Sequence, residues 1–277
     1  MNTPEDALNR IAAALERIAP GVVREADWLS HPAYLWTAQG ARPIERIDAP
    51  SLALLRGIDR QKSVVIENVA RLAAGNAAHD MLLWGSRGMG KSALVRAAVV
   101  AAQNDNVGRL ALVQAGTDSL DSLSSLFSQL GRIPRGFLVF IDDLGFGEND
   151  SDGPRHLRSW LDGGVEARPD NVRLAVTSNR RAILNRHMGE QDDPLNPRDA
   201  VDDQLALADR FGLSLGFHAC SQDEYLAILR GYTQEYGLDL DEAEALEWAR
   251  RRGGRSGRIA WHYITELAGR AGKPLKR

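Results

Sequence analysis

The chain predicts a doubly wound, parallel α/β fold of five strands followed by a small helical domain, and three observations carry that expectation. Short apolar runs recur at residues 81–84, 110–113, 137–141, 174–176 and 213–217, the form taken by strands buried on both faces of a parallel sheet. Between them, residues 93–103, 120–130 and 155–161 have helical composition. After His218 the strands cease, and residues 221–236, 241–252 and 257–269 read as three helices. Strands alternating with helices put a ligand site at the carboxyl ends of the strands. The expected division is an N-terminal helix and connector over 1–50, an α/β domain over 51–218 and a helical domain over 219–277.

The first element expected is an amphipathic helix over residues 5–19. Leu8, Ile11, Leu15 and Ile18 recur at 3, 4, 3 spacing, and Pro20-Gly21 ends the pattern. Two heptads are too few for an independent coiled coil, so packing on its own domain is favoured over binding a partner. Trp28, Tyr34 and Trp36 then precede Pro43 and Pro50, a stretch that reads as an irregular connector pinned by its aromatics. The Asp/Pro-rich segment 191–203 reads as a mobile loop.

Composition excludes several classes. With 34 Lys and Arg against 37 Asp and Glu, the net charge of -3 removes a chain-wide basic field, so any polyanion must be held locally. A single cysteine, Cys220, excludes an intramolecular disulfide. Six histidines without a second cysteine give no zinc-finger spacing, and a reducing, cytoplasmic setting is expected. No apolar run approaches the roughly 18 to 20 residues that span a bilayer, and residues 1–10 are polar rather than signal-like, so no membrane partner is expected.

The sharpest motif follows the first sheet strand. Gly85-Ser86-Arg87-Gly88-Met89-Gly90-Lys91-Ser92 fits G-x-x-x-x-G-K-[ST], and Ala93 continues into a helix. Such a loop wraps a phosphate chain with backbone N–H groups, and its glycines allow the tight turns. Lys91 then neutralises the β/γ-phosphates, while Ser92 is placed to ligate Mg²⁺ at a helix start whose dipole favours the anion. Phe137-Leu138-Val139-Phe140-Ile141-Asp142-Asp143 is an apolar strand ending in two carboxylates. After a P-loop, the first acid is expected to hold Mg²⁺ and the second to orient or deprotonate attacking water.

In that order, with Gly57-Ile58-Asp59-Arg60-Gln61 upstream and Val176-Thr177-Ser178-Asn179, Asp209-Arg210-Phe211 and a helical end downstream, the chain resembles an AAA+ ATPase. Phrases such as Leu83-Trp84-Gly85, Thr177-Ser178-Asn179-Arg180-Arg181 and Gly253-Gly254-Arg255-Ser256-Gly257-Arg258 resemble the bacterial domain-of-unknown-function 815 family. The resemblance implies ATP with Mg²⁺, a helical lid, and a homo-oligomeric ring, such as a hexamer, acting on a client that the family does not identify. It further implies that Gly57 and Ile58 lie at the adenine pocket, that Asn179 is a polar sensor, and that Arg210 is an arginine finger acting in trans. Arg255 would be a second sensor reporting from the lid, with Arg258 its rival. Most AAA+ ATPases carry Glu where this chain carries Asp143, one methylene shorter, which leaves open slow hydrolysis and hence an ATP-gated switch or scaffold.

Two other signals weigh less. Gly212-Leu213-Ser214-Leu215-Gly216 matches G-x-S-x-G, but Ser214 sits inside an alternating strand pattern rather than at a strand-to-helix turn. Residues 250–277 hold nine Lys/Arg against Glu266 alone, which motivates a DNA-directed motor or loader; with no aromatic stacking platform among them, nucleotide and neighbour contacts are favoured instead.

Overall fold

The computed structural model describes residues 26–105, 107–144, 161, 169–179 and 209–275. The helix expected at 5–19, all but the last residue of that at 155–161, and the loop at 191–203 lie outside these residues.

The described residues form a seven-stranded sheet rather than the five strands expected. In chain order the strands are β1 (Ala33–Thr37), β2 (Gly40–Ile44), β3 (Met81–Gly85), β4 (Leu110–Ala115), β5 (Gly136–Ile141), β6 (Val172–Ser178) and β7 (Leu213–Phe217). Their spatial order is β2-β1-β4-β5-β6-β3-β7. The five expected strands pair in parallel. The two additional strands come from the stretch read as an irregular connector: β1 joins β4 in parallel, and β2 folds back antiparallel on β1. The aromatics there are strand residues, for Tyr34 and Trp36 alternate into the core beside Trp28. Pro43 argued against a strand, yet it lies in the outermost strand, where a missing N–H costs no ladder bond.

Both faces of the sheet are covered, which is why its strands are apolar throughout rather than alternating. Met81, Leu83, Leu110 and Leu112 face one core with α1 (Asp59–Ala73) and α2 (Lys91–Asp105). Leu82, Ala111, Val113, Phe137 and Val139 face the other with α3 (Leu123–Leu130), Tyr34 and Trp36. Alternate residues of one strand thus serve two cores.

Three helices close the chain: α4 (Gln222–Tyr236), α5 (Glu242–Arg251) and α6 (Gly257–Arg270). Each begins where its sequence supplies a cap. Ser221 and Glu224 form a capping box on α4, the Asp241 carboxylate accepts from the amides of Ala243 and Glu244, and Ser256 accepts from Ile259 N–H. Tyr225, Leu229, Ala260, Tyr263 and Ile264 join the same core as α1 and α2, so these helices are anchored on the α1–α2 face of the sheet. No helix among the described residues is long and apolar enough to cross a membrane.

Candidate functional site

The Gly85–Ser92 loop leaves β3 and enters α2, and two of its glycines are dictated by neighbours. Gly85 has φ 120°, and a Cβ there would lie 2.1 Å from the carbonyl oxygen of Phe217 in β7; the same carbonyl accepts the Ser86 amide at 2.8 Å. Gly88 has φ 74°, and its Cβ would meet Ser256 Oγ at 2.9 Å and Arg258 Cβ at 3.0 Å. The loop therefore folds tightly only because side chains are missing where β7 and the start of α6 approach. The Gly88 carbonyl also accepts the amide of Arg258 at 3.1 Å.

Lys91 opens α2 and is buried. Its Nζ donates to the carbonyls of Gly85 (3.0 Å) and Ser86 (2.9 Å) and to Asn179 Oδ1 (2.9 Å). Burial pulls its ammonium down from the usual lysine range to about 8, opposed by the nearby Asp143 and Asp142 and reinforced by Arg258 and Arg87.

The acids sit where the sheet order brings them. In space β6 lies between β3 and β5, so residues at the end of β6 bridge the P-loop to the acids. Ser92 Oγ donates to Asp142 Oδ1 at 2.6 Å, and Thr177 Oγ1 donates to the same oxygen at 2.6 Å. Thr177 Oγ1 also accepts the amide of Asp143 at 2.8 Å. Asn179 Nδ2 donates to Asp143 Oδ1 while its own carbonyl oxygen faces Lys91. Asp143 has φ 55°, the one positive value among described residues other than glycine, a region in which Asp is tolerated better than most side chains.

These groups line one cavity of about 430 Å³. Its polar lining is loop residues 88–92 with Asp142, Asp143, Thr177 and Asn179; its apolar lining is Leu54, Leu55, Ile58, Ile228, Tyr232 and Trp261. Arg56, Arg96, Arg258 and His262 also line it. A hydrophobic slot leading to a phosphate-type loop and paired carboxylates can hold a nucleotide from base to terminal phosphate.

The expected site residues fall into three groups. Ile58, Met89, Gly90, Lys91, Ser92, Ala93, Asp142, Asp143 and Asn179 meet at this cavity, as does Gly88. Gly57, Gly85 and Ser86 shape its surroundings without lining it: Gly57 turns with φ 76° against Glu224, and the other two hold Lys91 through their carbonyls. Arg87 and Arg255 instead line a separate cavity behind the loop, whereas Arg258 reaches the nucleotide-sized one. Arg210 lies just before β7 and is not among the residues lining the cavity.

Thr177, Arg96, Tyr232 and Trp261 were not singled out from sequence. For Thr177 the signal existed, since Thr177-Ser178-Asn179 ends an apolar strand in polar residues as Asp142-Asp143 does. Ser214 sits within β7, its hydroxyl accepting from the Trp84 indole at 3.1 Å, as a strand residue rather than a nucleophile.

The family model described as "Protein of unknown function (DUF815)" matches residues 29–271. No curated protein matches the sequence. Among solved structures, a variant of Thermotoga maritima RuvB superposes with a TM-score of 0.52 at 18% identity, covering 81% of this chain and 67% of that one. Aeropyrum pernix ORC1, solved in complex with DNA, superposes with a TM-score of 0.57 at 16% identity, covering 82% of this chain and 64% of that one. The chain thus spans about two thirds of the length of the structures it matches. At such identities the likeness is one of fold, and the fold is that of the AAA+ P-loop proteins.

Proposed function

The chain belongs to the DUF815 family, and we propose that it binds ATP with Mg²⁺ and hydrolyses it to drive conformational change in a homo-oligomeric ring. The observation that carries the reading is the bridged cluster Lys91–Asn179–Asp143 and Ser92–Asp142–Thr177 at the phosphate end of one nucleotide-sized cavity.

In this reading the P-loop amides and Lys91 hold the β- and γ-phosphates. Ser92 Oγ and Asp142, two hard oxygen donors in direct contact, suit Mg²⁺, which takes few protein oxygens and completes its shell with phosphate and water. The ion would supply charge neutralisation of the leaving and transferring groups. Asp143 accepts a proton from the attacking water or orients it, and Asn179, which touches both Asp143 and Lys91, aligns that acid with the γ-phosphate. Leu54, Leu55, Ile58, Tyr232 and Trp261 take the base. Arg258 is the better placed of the two sensor candidates because it lines the cavity and Arg255 does not. The helices α4–α6 then act as the lid, and Arg210 reaches the nucleotide of the neighbouring subunit.

The test is single-turnover hydrolysis beside an equilibrium binding assay. Asp143→Asn should bind ATP as the parent does and lose about 100-fold or more in hydrolysis, the usual contribution of a positioned base. Unchanged hydrolysis in that variant would remove Asp143 from the mechanism. A parent protein that binds ATP tightly yet barely turns over would favour the ATP-gated switch, the reading suggested by an acid one methylene shorter than Glu.

A further inference from the structure

A second cavity, of about 610 Å³, shares no described lining residue with the nucleotide-sized one. Arg87 comes to it from the loop itself, and Arg250 and Arg255 from the end of α5 and the turn into α6. Among the described residues no Asp or Glu lines it. All three arginines are exposed, and among the described residues none of them is ion-paired. Neighbouring arginines are already engaged, Arg251 with Glu247 and Arg252 over the Trp248 ring. The floor is apolar: Ala219, Cys220, Leu246, Ala249 and Ile259. Burial and, after it, the charge of Glu224 push the Cys220 thiol up to about 11, with the charge of Arg255 opposing them, so the floor stays uncharged and the cation stands close above it.

Three arginines with no ion pair among the described residues, set above an apolar floor in a volume within the usual range of ligand pockets, select a ligand that is both acidic and apolar. Nucleic acid fits poorly, because among the described residues no aromatic side chain lines the cavity to stack a base, and a phosphate backbone leaves the apolar floor unused. Backbone access is open, since nothing lies within 4 Å of where a Cβ would stand on Gly253 or Gly254. We propose that this cavity docks a segment of a partner protein in which carboxylates alternate with aliphatic side chains, the carboxylates meeting Arg87, Arg250 and Arg255 and the aliphatic groups covering Leu246 and Ile259. The occupant touches the P-loop through Arg87 without entering the nucleotide cavity, so partner binding and nucleotide binding share one loop.

The probe is the fluorescein-labelled peptide Gly-Asp-Leu-Glu-Asp-Leu-Glu-Gly, its binding to the full chain followed by anisotropy without nucleotide and at low salt. Arg250→Glu alters an exposed position outside the nucleotide site. It should weaken the peptide by about tenfold or more, the value of one lost charge-assisted hydrogen bond, while Arg250→Lys keeps most of the affinity. Serine in place of both leucines of the peptide should weaken it as well. No binding of the peptide, equal binding by Arg250→Glu, indifference to the leucine replacement, or tighter Arg250-dependent binding of a single-stranded oligothymidine would each overturn the proposal. Because nucleotide is absent throughout, failure here leaves the ATPase reading standing, and failure of that reading leaves this result unchanged.

Discussion

The two walls of the nucleotide-sized cavity are built on different principles. On the sheet side Lys91 and Thr177 are buried, and the groups around them are held by one another: lysine by two carbonyls and Asn179, Asp142 by Ser92 and Thr177, Asp143 by Thr177 and Asn179. On the helical side Arg258 and His262 are exposed, Trp261 is half-buried, and the described contact with the loop runs through one backbone bond, Arg258 N–H to Gly88. The chemistry is thus fixed by a rigid network. The helical wall is joined to the loop through backbone and small side chains, and in the proposed function its charged groups are the ones that respond to the nucleotide.

The contrast breaks most sharply at Lys91. Lys91→Ala should lower ATP affinity by about 100-fold or more, because it removes a buried cation and leaves Asn179 and two loop carbonyls without their donor. Isothermal titration with ATP measures this, and parental affinity would mean that the loop does not hold phosphate. Thr177→Val comes next. It keeps the shape while depriving Asp142 of a donor and leaving the Asp143 amide without an acceptor, which should cost about 1–3 kcal/mol of stability and about tenfold in turnover. Thr177→Ser restores the hydroxyl and should restore both, an outcome that separates loss of the hydrogen bonds from loss of packing.

On the helical wall the effects should be smaller and should discriminate between neighbours. Arg258→Ala should weaken ATP binding by about five- to tenfold, the value of one charge-assisted hydrogen bond at a partly open site. Arg255→Ala should change it by less than about twofold, since its side chain faces the other cavity. The reverse order would move the lid sensor back to Arg255.

The two walls also differed in how far they could be read in advance. The P-loop is contiguous in sequence and its context is local, and two carboxylates closing an apolar run have no place inside a sheet, so Lys91, Ser92, Asp142 and Asp143 were legible. Thr177 was legible only as a polar residue ending an apolar strand, because its role depends on β6 standing between β3 and β5, a fact of topology that no local pattern contains. The β1–β2 hairpin was hidden by Pro43, whose cost vanishes only at an outer strand. Arg255 and Arg258 lie three residues apart across the first turn of α6. Which of them turns toward the P-loop is decided by Ser256 as cap and by the contact of Gly88 with Arg258, neither visible without the fold.

The mildest test asks whether burial on the sheet wall has a chemical signature. Lys91 titrates at about 8 rather than in the usual lysine range because burial disfavours its charge. Near pH 8 about half of the free protein therefore carries a neutral amine there. A triphosphate placed against Nζ favours the charged form and raises that value, so binding takes up to about half a proton per nucleotide at pH 8. Affinity should then fall about threefold per pH unit around pH 8 and be flat below about pH 6.5, where the lysine is charged before and after binding. The same depression has the opposite sign for folding. A lysine whose folded value lies below its unfolded one binds more protons when unfolded, so its penalty is full below about 8 and is relieved as pH rises toward the unfolded value. Titrations in two buffers of different ionisation enthalpy read the proton uptake directly. An affinity that is flat from pH 6.5 to 9 would mean that Lys91 keeps an ordinary lysine value, and that the sheet wall is wetter than its hydrogen bonds and burial imply.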